Sequence, residues 1–418
     1  MSSNLRFVLL CLTLFLLTAC LQPFDYALSI EVLSPGGSSR VANSEVGITC
    51  DAACKANLSK GTSLTLSAVP ASNESFNSWQ GCDTVSGYTC SVLMTTNKTV
   101  RASFIEASSF TVAVLPDTQY YSTNNTLIDY FTDQTTWIAE QAEANNIVFV
   151  SHEGDVVQRG SSESEWQRSN SALSILDGRV PYSVAIGDHD YQKNEDRSEG
   201  AELYLEYFGP ERYEAYDWYG GAAPNGLGHF QFFEANGHTF LHIALEWEAP
   251  GPIIDPLSPL GWANSILELY PTFPTIITTH SYLWDQGGYE GHALYVEENM
   301  ENGTSPVDIY SQLIRPHPQV FMVLGGNYHR GSDGEDGEWH QVSYNDAGLE
   351  VYEMLANYQT YANGGDGWMR LLEFVPDGGE SGLDRIQVKT YSPSLDAYRT
   401  GERSEFYFDL SFSDRFRF

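Results

Sequence analysis

The chain of 418 residues is long enough for two domains, one of them large. Its 55 acidic and 21 basic side chains give a formal net charge of −34, which argues against nucleic-acid binding and against electrostatic adhesion to anionic lipid. Such a charge is typical of a secreted protein that stays soluble in salt, and it gives no information on a substrate.

Residues 1–19 have the pattern of an export signal. Arg6 supplies the positive charge, residues 7–16 are apolar, and the sequence LTAC ends at Cys20 as a cleavage site with small residues. Because this site ends in cysteine, it resembles a bacterial lipoprotein signal; an ordinary export signal is the alternative. The resemblance implies that Cys20 is lipidated and that the protein is anchored to the bacterial cell envelope, facing the periplasm or the cell surface. Membrane contact would then occur through this anchor only.

Residues 27–106 alternate short apolar strands with polar turns, which predicts a small all-β domain. This segment contains the cysteines Cys50, Cys54, Cys82 and Cys90. Four clustered cysteines in an exported chain predict two disulfides, with the pairing left open. A zinc site is the alternative, although the spacings lack two close CxxC pairs.

The same segment resembles the divergent bacterial repeat of internalin-type surface proteins. The resemblance lies in the cysteines and in the sequences LTLSA (64–68), WQGC (79–82) and VRASF (100–104). In that family the module is a spacer or an adhesion module, and we find no catalytic chemistry in it.

A second domain is predicted over residues 110–418, after a linker at residues 105–109. Here apolar strands alternate with stretches of helical periodicity, which is typical of an α/β sheet that binds ligands beyond the carboxyl ends of its strands. The tail from Gly348 is richer in strand signals and predicts a second sheet or a capping β region.

Polar side chains follow five of the predicted strands, and we expect them at the same edge of one sheet. The motifs are Asp117-Thr118-Gln119, Gly154-Asp155, Gly187-Asp188-His189-Asp190, His280 and Asn327-Tyr328-His329. A single strand-end aspartate is commonly a helix cap, but caps need no imidazoles. Carboxylates that converge this closely repel and protonate unless cations lie between them. The ordered set therefore predicts a metal site.

These motifs resemble the ordered signature of the calcineurin-like metallophosphoesterases, which reads D-x-H, G-D, G-N-H-D/E, an isolated H, and G-H-x-H. The resemblance covers residues 110 to the end, and the tail sequences ANYQTYANGGDGWMRLLEF and VKTYSPSLDAYRT look like one branch of that family. It implies a four-layer α-β-β-α sandwich with a two-metal centre. It also implies hydrolysis of a phosphate mono- or diester of unknown class.

The resemblance assigns a role to each motif residue. The first metal would be held by Asp117, Gln119, Asp155 and His329, and the second by Asp155, Asp188, His280 and Asn327. A hydroxide shared by the two divalent ions would attack in line, the ions being Mn, Fe, Zn, Mg or Ca. His189 would protonate the leaving group, and Asp190 would orient its imidazole.

Three positions depart from the family pattern. Gln119 replaces a histidine, Asp188 replaces an asparagine, and Asn327 replaces the first histidine of the last motif. Under one hypothesis the substitutions at Asp188 and Asn327 compensate, and the second site favours harder ions. Under the other, the second site is too weak to bind a metal, and the chain is a surface binding or adhesion lipoprotein with a one-metal or inactive domain.

A purple acid phosphatase is a further alternative. It would need a tyrosine ligand a few residues after Gly154-Asp155, and the sequence GDVVQRG lacks one.

A few further charged residues lie near the motifs in the sequence. His152 is expected to pack behind the ligands, since side chains on a strand alternate faces. Glu246 and Glu248 are expected to hold a loop, and Arg159 and Arg197 are candidates for clamping a phosphate.

Overall fold

The computed structural model describes residues 25–71, 74–284, 303–329 and 337–416. The predicted signal peptide and the predicted lipidation site, Cys20, lie outside these residues. Within the described ranges, no helix has the length and apolar character needed to cross a bilayer.

The N-terminal part consists of nine strands in two sheets. The strands are β1 (Asp25–Leu33), β2 (Arg40–Asn43), β3 (Ile48–Cys50), β4 (Ala53–Ser59), β5 (Ser63–Val69), β6 (Glu74–Gln80), β7 (Thr84–Ser86), β8 (Thr89–Leu93) and β9 (Lys98–Glu106). Their orders are β4-β1-β9-β6 and β3-β2-β5-β8-β7. Apolar residues that alternate along the strands, such as Leu28, Leu66 and Val100, form the core between them.

The four cysteines of this domain form two disulfides, Cys50–Cys54 and Cys82–Cys90. The prediction of an all-β domain with two disulfides is therefore confirmed. The zinc alternative is excluded because each sulfur is bonded to another sulfur.

The larger part of the chain alternates strands and helices before a β-rich tail. Its strands are β10 (Phe110–Leu115), β11 (Ile147–His152), β12 (Tyr182–Val184), β13 (Tyr219–Ala222), β14 (His229–Ala235), β15 (His238–Leu245), β16 (Thr275–Thr279), β17 (Val320–Gly325), β18 (Glu338–Tyr344), β19 (Glu350–Ala356), β20 (Met369–Val375), β21 (Asp384–Ser392), β22 (Ala397–Arg399) and β23 (Phe406–Leu410). Its helices are α1 (Gln119–Ser122), α2 (Ile128–Gln141), α3 (Glu163–Leu173), α4 (Glu202–Phe208), α5 (Pro259–Leu269), α6 (Pro306–Ile309) and α7 (Phe412–Arg415).

These strands form two seven-stranded sheets packed face to face. The first sheet has the order β12-β11-β10-β20-β21-β22 with β23 beside β21, and the second has the order β13-β14-β15-β16-β17-β19-β18. Side chains such as Phe149 and Phe240 fill the space between the sheets. Helices α2 and α3 cover the outer face of the first sheet, and α5 covers that of the second, through residues such as Phe131, Trp166 and Leu267. The predicted four-layer α-β-β-α sandwich is confirmed.

The five motif-bearing strands do not share one sheet, which corrects the prediction. Strands β10, β11 and β12 lie in the first sheet, whereas β16 and β17 lie in the second. The tail strands are also divided, since β18 and β19 extend the second sheet and β20 to β23 extend the first. Strand β20 pairs with the free side of β10 in antiparallel fashion, so the first sheet has no room for β16 there. Hydrophobic periodicity predicts strands but not the partner of each strand.

The N-terminal domain contacts the turn between β14 and β15. The hydroxyl of Tyr88 lies 2.8 Å from Nε2 of His238. The side chain of Asn236 accepts the N–H of Ser108 at 3.1 Å and donates to its carbonyl at 2.8 Å. The Tyr88–His238 contact joins the two domains directly, and the bonds of Asn236 hold the linker at Ser108.

Candidate metal centre

Asp117 follows the buried strand β10 and is held by hydrogen bonds from the opposite sheet. The backbone N–H of Asn327 lies 3.2 Å from each of its carboxylate oxygens. The side-chain amide of Asn357 donates to Oδ2 at 3.0 Å. A Cβ atom at Gly326 would overlap Oδ1, so this close approach requires glycine. Burial raises the pKa of Asp117 to about 8; Asp155 also raises it, and His280 opposes both.

Asp155 lies just beyond β11 with a left-handed backbone, at φ 53°. Its Oδ1 accepts the N–H of His189 at 3.0 Å, and its Oδ2 accepts the amide of Gln119 at 2.7 Å. A Cβ atom at Gly187 would overlap Oδ1 of Asp155. The left-handed conformation costs energy in a non-glycine residue, and such conformations cluster at functional sites.

His280 follows β16 in the second sheet and points at the aspartates. Its Nδ1 lies 2.9 Å from the carbonyl of Glu153, which can only accept a hydrogen bond, so Nδ1 carries hydrogen. Its Nε2 lies 3.0 Å from Oδ1 of Asp188 and 3.2 Å from Oδ1 of Asp155. Burial lowers the pKa of His280, but Asp155 and Asp117 outweigh it and hold the pKa well above the ordinary value. Nε2 therefore either carries a second proton or shares a cation with the carboxylates.

Asp117, Asp155 and His280 form a compact group of potential ligands. One ligand atom from each lies within 4.8 Å of the other two, and all three residues are buried. The buried Oε1 of Gln119 has no hydrogen-bond partner among the described residues, so it is available to a cation. The donor set combines carboxylate and amide oxygens with an imidazole whose Nδ1 is already engaged, as in metal sites. The residues present therefore fit divalent metal ions.

His189 lies in a short 3-10 turn, Asp188–Asp190, at the mouth of this group. Its Nδ1 lies 2.9 Å from the carbonyl of Gln158 and 2.7 Å from Nδ2 of Asn194. Its Nε2 lies 3.9 Å from Oδ2 of Asp188, and about a quarter of the side chain is exposed. Burial lowers the pKa of His189, but the carboxylates of Asp155 and Asp188 raise it above the ordinary value. Nδ1 thus holds the ring in place, and Nε2 points toward the aspartates.

The role predicted for Asp190 is wrong. The Oδ1 of Asp190 accepts the backbone N–H groups of Val156 at 2.9 Å and Val157 at 3.1 Å, and its Oδ2 accepts that of Gly187 at 2.9 Å. Both oxygens are therefore engaged by backbone. Asp190 fastens the loop that carries Asp155 to the loop that carries Asp188, and it does not orient His189.

The last motif contributes through its backbone. Asn327 has φ 61°, a left-handed conformation that asparagine tolerates better than most residues. Its N–H binds Asp117, and its carbonyl accepts the side chain of Asn357 at 2.7 Å. His329 is partly exposed and, in the part of the chain that the structure describes, does not join the compact group of three. The ligand roles predicted for Asn327 and His329 remain predictions.

The remaining charged residues act within the protein. His152 is buried, lies 2.9 Å from the hydroxyl of Thr118 and accepts the N–H of Gly154, so it packs behind the ligands. Arg159 donates to Glu165 at 2.8 Å, and Arg197 donates to the carbonyl of Trp247. Both arginines therefore have internal partners, and a role in clamping a phosphate stays a prediction.

Two residues that position the site were missed by the sequence analysis. Asn357 follows β19 directly, so it obeys the same strand-end rule that identified the other motifs. Asn194 lies in a loop with no periodic signal, and only the fold brings it to His189.

Comparisons with known proteins match both parts of the chain. The model of the calcineurin-like phosphoesterase family matches residues 110–301, and that of the divergent InlB B-repeat domain matches residues 40–108. Both resemblances stated from the motifs are thereby confirmed.

Individual relatives are distant. The uncharacterized protein YvnB of Bacillus subtilis (strain 168) is 28% identical over 391 residues, covering 86% of this chain and 27% of YvnB. The chain thus spans about a quarter of the length of this relative. Purple acid phosphatase PPD1 from yellow lupin (Lupinus luteus) seeds is 12% identical with a TM-score of 0.44, covering 90% of this chain and 75% of its own. A dimetal phosphatase from Danio rerio is 12% identical with a TM-score of 0.40, covering 72% and 99%.

Proposed function

We propose that the protein is a metallophosphoesterase that hydrolyses phosphate mono- or diesters with two divalent cations, and the match of residues 110–301 to the calcineurin-like phosphoesterase family supports this. The observation that carries the proposal is the position of His280. Its Nε2 faces oxygens of Asp155 and Asp188 at 3.2 Å and 3.0 Å, while its Nδ1 donates to a carbonyl. This arrangement matches an imidazole and two carboxylates that share a cation.

The ligands divide into two overlapping sets. Asp117, Gln119, Asp155 and His329 hold the first cation, and Asp155, Asp188, His280 and Asn327 hold the second. The contact between Gln119 and Asp155 at 2.7 Å supports the first set, and the contact between His280 and Asp188 at 3.0 Å supports the second. Each set has a single imidazole, so oxygen ligands predominate and favour Mn²⁺, Mg²⁺ or Ca²⁺ over Zn²⁺.

The cations, when bound, polarise the phosphoryl oxygens and make a water-derived nucleophile available at neutral pH. The protein's own residues do the rest. Asp117, Asp155 and Asp188 place negative charge around the cations, and His189 presents Nε2 to donate a proton to the departing oxygen. The carbonyl of Gln158 holds the opposite nitrogen of His189 and so determines where that proton is delivered.

We also propose that the protein is exported and lipid-anchored through Cys20. The two disulfides of the N-terminal domain support export, because such bonds persist in oxidising compartments. Growth with a labelled fatty acid should label the wild type and leave Cys20→Ser unlabelled. Equal labelling of both would contradict the anchor.

The enzymatic proposal is tested on metal-stripped full-length protein. Mn²⁺, Mg²⁺, Ca²⁺, Fe²⁺ or Zn²⁺ is added singly, bound ions are counted, and hydrolysis of aryl phosphomonoesters and phosphodiesters is followed. We expect two ions per chain and hydrolysis with at least one metal. The variant Asp155→Ala should lose both ions and the activity, whereas Asp129→Ala, on the exposed face of α2, should retain both.

The competing function is a binding or adhesion protein with a one-metal or inactive domain. The position of His329 outside the compact group supports this alternative. One bound ion, and no hydrolysis with any metal, would overturn the enzymatic proposal and support the binder.

A further inference from the structure

Asn357 is a buried residue from the tail, and every polar group of its side chain has a partner. Its Nδ2 donates to Oδ2 of Asp117 at 3.0 Å and to the carbonyl of Asn327 at 2.7 Å. Its Oδ1 accepts the N–H of Gln359 at 3.0 Å. Because the carbonyl of Asn327 can only accept and the N–H of Gln359 can only donate, these two contacts fix the orientation of the amide.

These bonds join ligands from different sheets. Asp117 follows β10 in the first sheet, whereas Asn327 follows β17 in the second. Below them the sheets meet through apolar side chains such as Phe149 and Phe240. At the edge that carries the ligands, the backbone N–H of Asn327 already bonds Asp117. The amide of Asn357 adds a side-chain donor that bonds both motifs at once and so reinforces their spacing at this edge.

Asn357 also lies outside the segment that the phosphoesterase family model matches, residues 110–301. The backbone N–H of Asn357 donates to the carbonyl of Gly337 at 2.8 Å, which ties β18 to the end of β19. The tail therefore reaches the metal ligands through this residue.

We propose that Asn357 is a positioning residue for the metal centre, and that its amide sets the affinity for the cation held by Asp117. This inference rests on the proposed function only in assuming a metal at Asp117. The amide neutralises part of the charge on Oδ2 and keeps the carboxylate from rotating, so Asp117 presents a single arrangement to the cation. Partners of metal ligands typically change metal affinity about 10- to 100-fold when they are removed.

A purely structural role would lie in the turn that Oδ1 forms with Gln359. Two variants separate the roles. Asn357→Ala removes every side-chain bond, whereas Asn357→Asp keeps the shape and the acceptor for Gln359 but replaces the donor with an oxygen that faces Asp117 and the carbonyl of Asn327. If donation to Asp117 matters, Asn357→Asp should lose as much metal affinity as Asn357→Ala.

The matched control is Asn345→Ala. Asn345 is also a buried asparagine of the second sheet region, and its Oδ1 accepts the N–H groups of Ala347 at 3.0 Å and Leu349 at 2.9 Å, away from the ligands. It should lower stability without changing metal affinity.

The experiment titrates Mn²⁺ into metal-stripped full-length protein by calorimetry, with thermal unfolding of each variant measured in parallel. We expect the first-site affinity to fall about 10- to 100-fold in both Asn357 variants and to stay unchanged in the control. Wild-type or higher affinity in Asn357→Asp, or an equal loss in Asn345→Ala, would overturn the inference. The readout is Mn²⁺ affinity and not ester hydrolysis. If the variants show the expected affinities but the wild type hydrolyses no ester, the proposed function is contradicted and the inference on Asn357 is not.

Discussion

His280 and Asp188 come from different sheets, and Nε2 of the imidazole lies 3.0 Å from Oδ1 of the carboxylate. The same nitrogen lies 3.2 Å from Oδ1 of Asp155. The contact is therefore the point at which the two sheets together would form the proposed second cation site.

Replacement of His280 with alanine should remove the second cation and leave the first. The variant loses the nitrogen ligand of that site, so the ion count should fall from two to one and hydrolysis should slow by at least about 100-fold. Ions are counted by mass spectrometry after gel filtration. His317→Ala is the control, since His317 contacts the carbonyl of Leu313 at 2.7 Å and is not a predicted ligand. Two retained ions in His280→Ala would contradict the assignment.

Replacement of His189 with alanine should slow turnover and spare metal binding. A proton donor contributes about 10²- to 10⁴-fold, and its loss matters most when the departing oxygen is basic. We therefore expect a large rate decrease for alkyl or phenyl esters and a small one for 4-nitrophenyl esters. Rates for this substrate series in the wild type and the variant provide the measurement. An equal decrease for all esters would show that His189 does not protonate the leaving group.

Replacement of Asp190 with asparagine should destabilise the protein. One carboxylate oxygen becomes an NH₂ group that faces a backbone N–H, and an unsatisfied buried donor costs about 1–3 kcal/mol. Urea unfolding of the metal-free variant should show a decrease of this size, with weaker metal binding because Asp190 holds the loops of Asp155 and Asp188. Unchanged stability with slower turnover would instead restore the role of orienting His189.

The contact between the two domains should weaken in acid because of His238. Burial lowers the pKa of His238 from its ordinary 6.5 to about 4. In the unfolded chain this histidine takes up a proton as the pH falls through 6.5, while in the folded protein it stays neutral until about pH 4. The neutral, buried His238 therefore contributes fully to stability above pH 6.5. As the pH falls from 6.5 to 4, the free energy of unfolding decreases by about 3 kcal/mol.

The variant His238→Gln isolates this effect, because glutamine does not titrate and its side chain offers a hydrogen-bond partner to Tyr88. Urea unfolding at a series of pH values should show a shallower loss of stability for the variant than for the wild type. Parallel curves for the two proteins would contradict the prediction.

The strand-end motifs were predictable because their signal is local. A buried apolar strand that ends in a glycine and an aspartate is visible in a dozen residues, and Asp117, Asp155, His280 and Asp188 all meet in the structure as expected. The disulfide domain was predictable for the same reason, since four cysteines lie within about forty residues of each other.

The partners of Asp190 and the division of strands between two sheets were not predictable in this way. Oδ1 of Asp190 accepts two backbone N–H groups that lie 33 and 34 residues earlier in the chain. Its Oδ2 accepts the nearby N–H of Gly187. Its motif suggested a contact with its neighbour His189, but backbone N–H groups brought close by the fold are the donors that bind it.

By itself the sequence determined the residue types at the carboxyl ends of the strands, because hydrophobic periodicity and glycine turns are properties of short segments. Only the tertiary structure decided how these residues act on one another. Asp117 and Asn357 are 240 residues apart and bond at 3.0 Å, because strands from two sheets end side by side. The choice of such partners depends on the free energy of the whole packed chain, which no short segment contains.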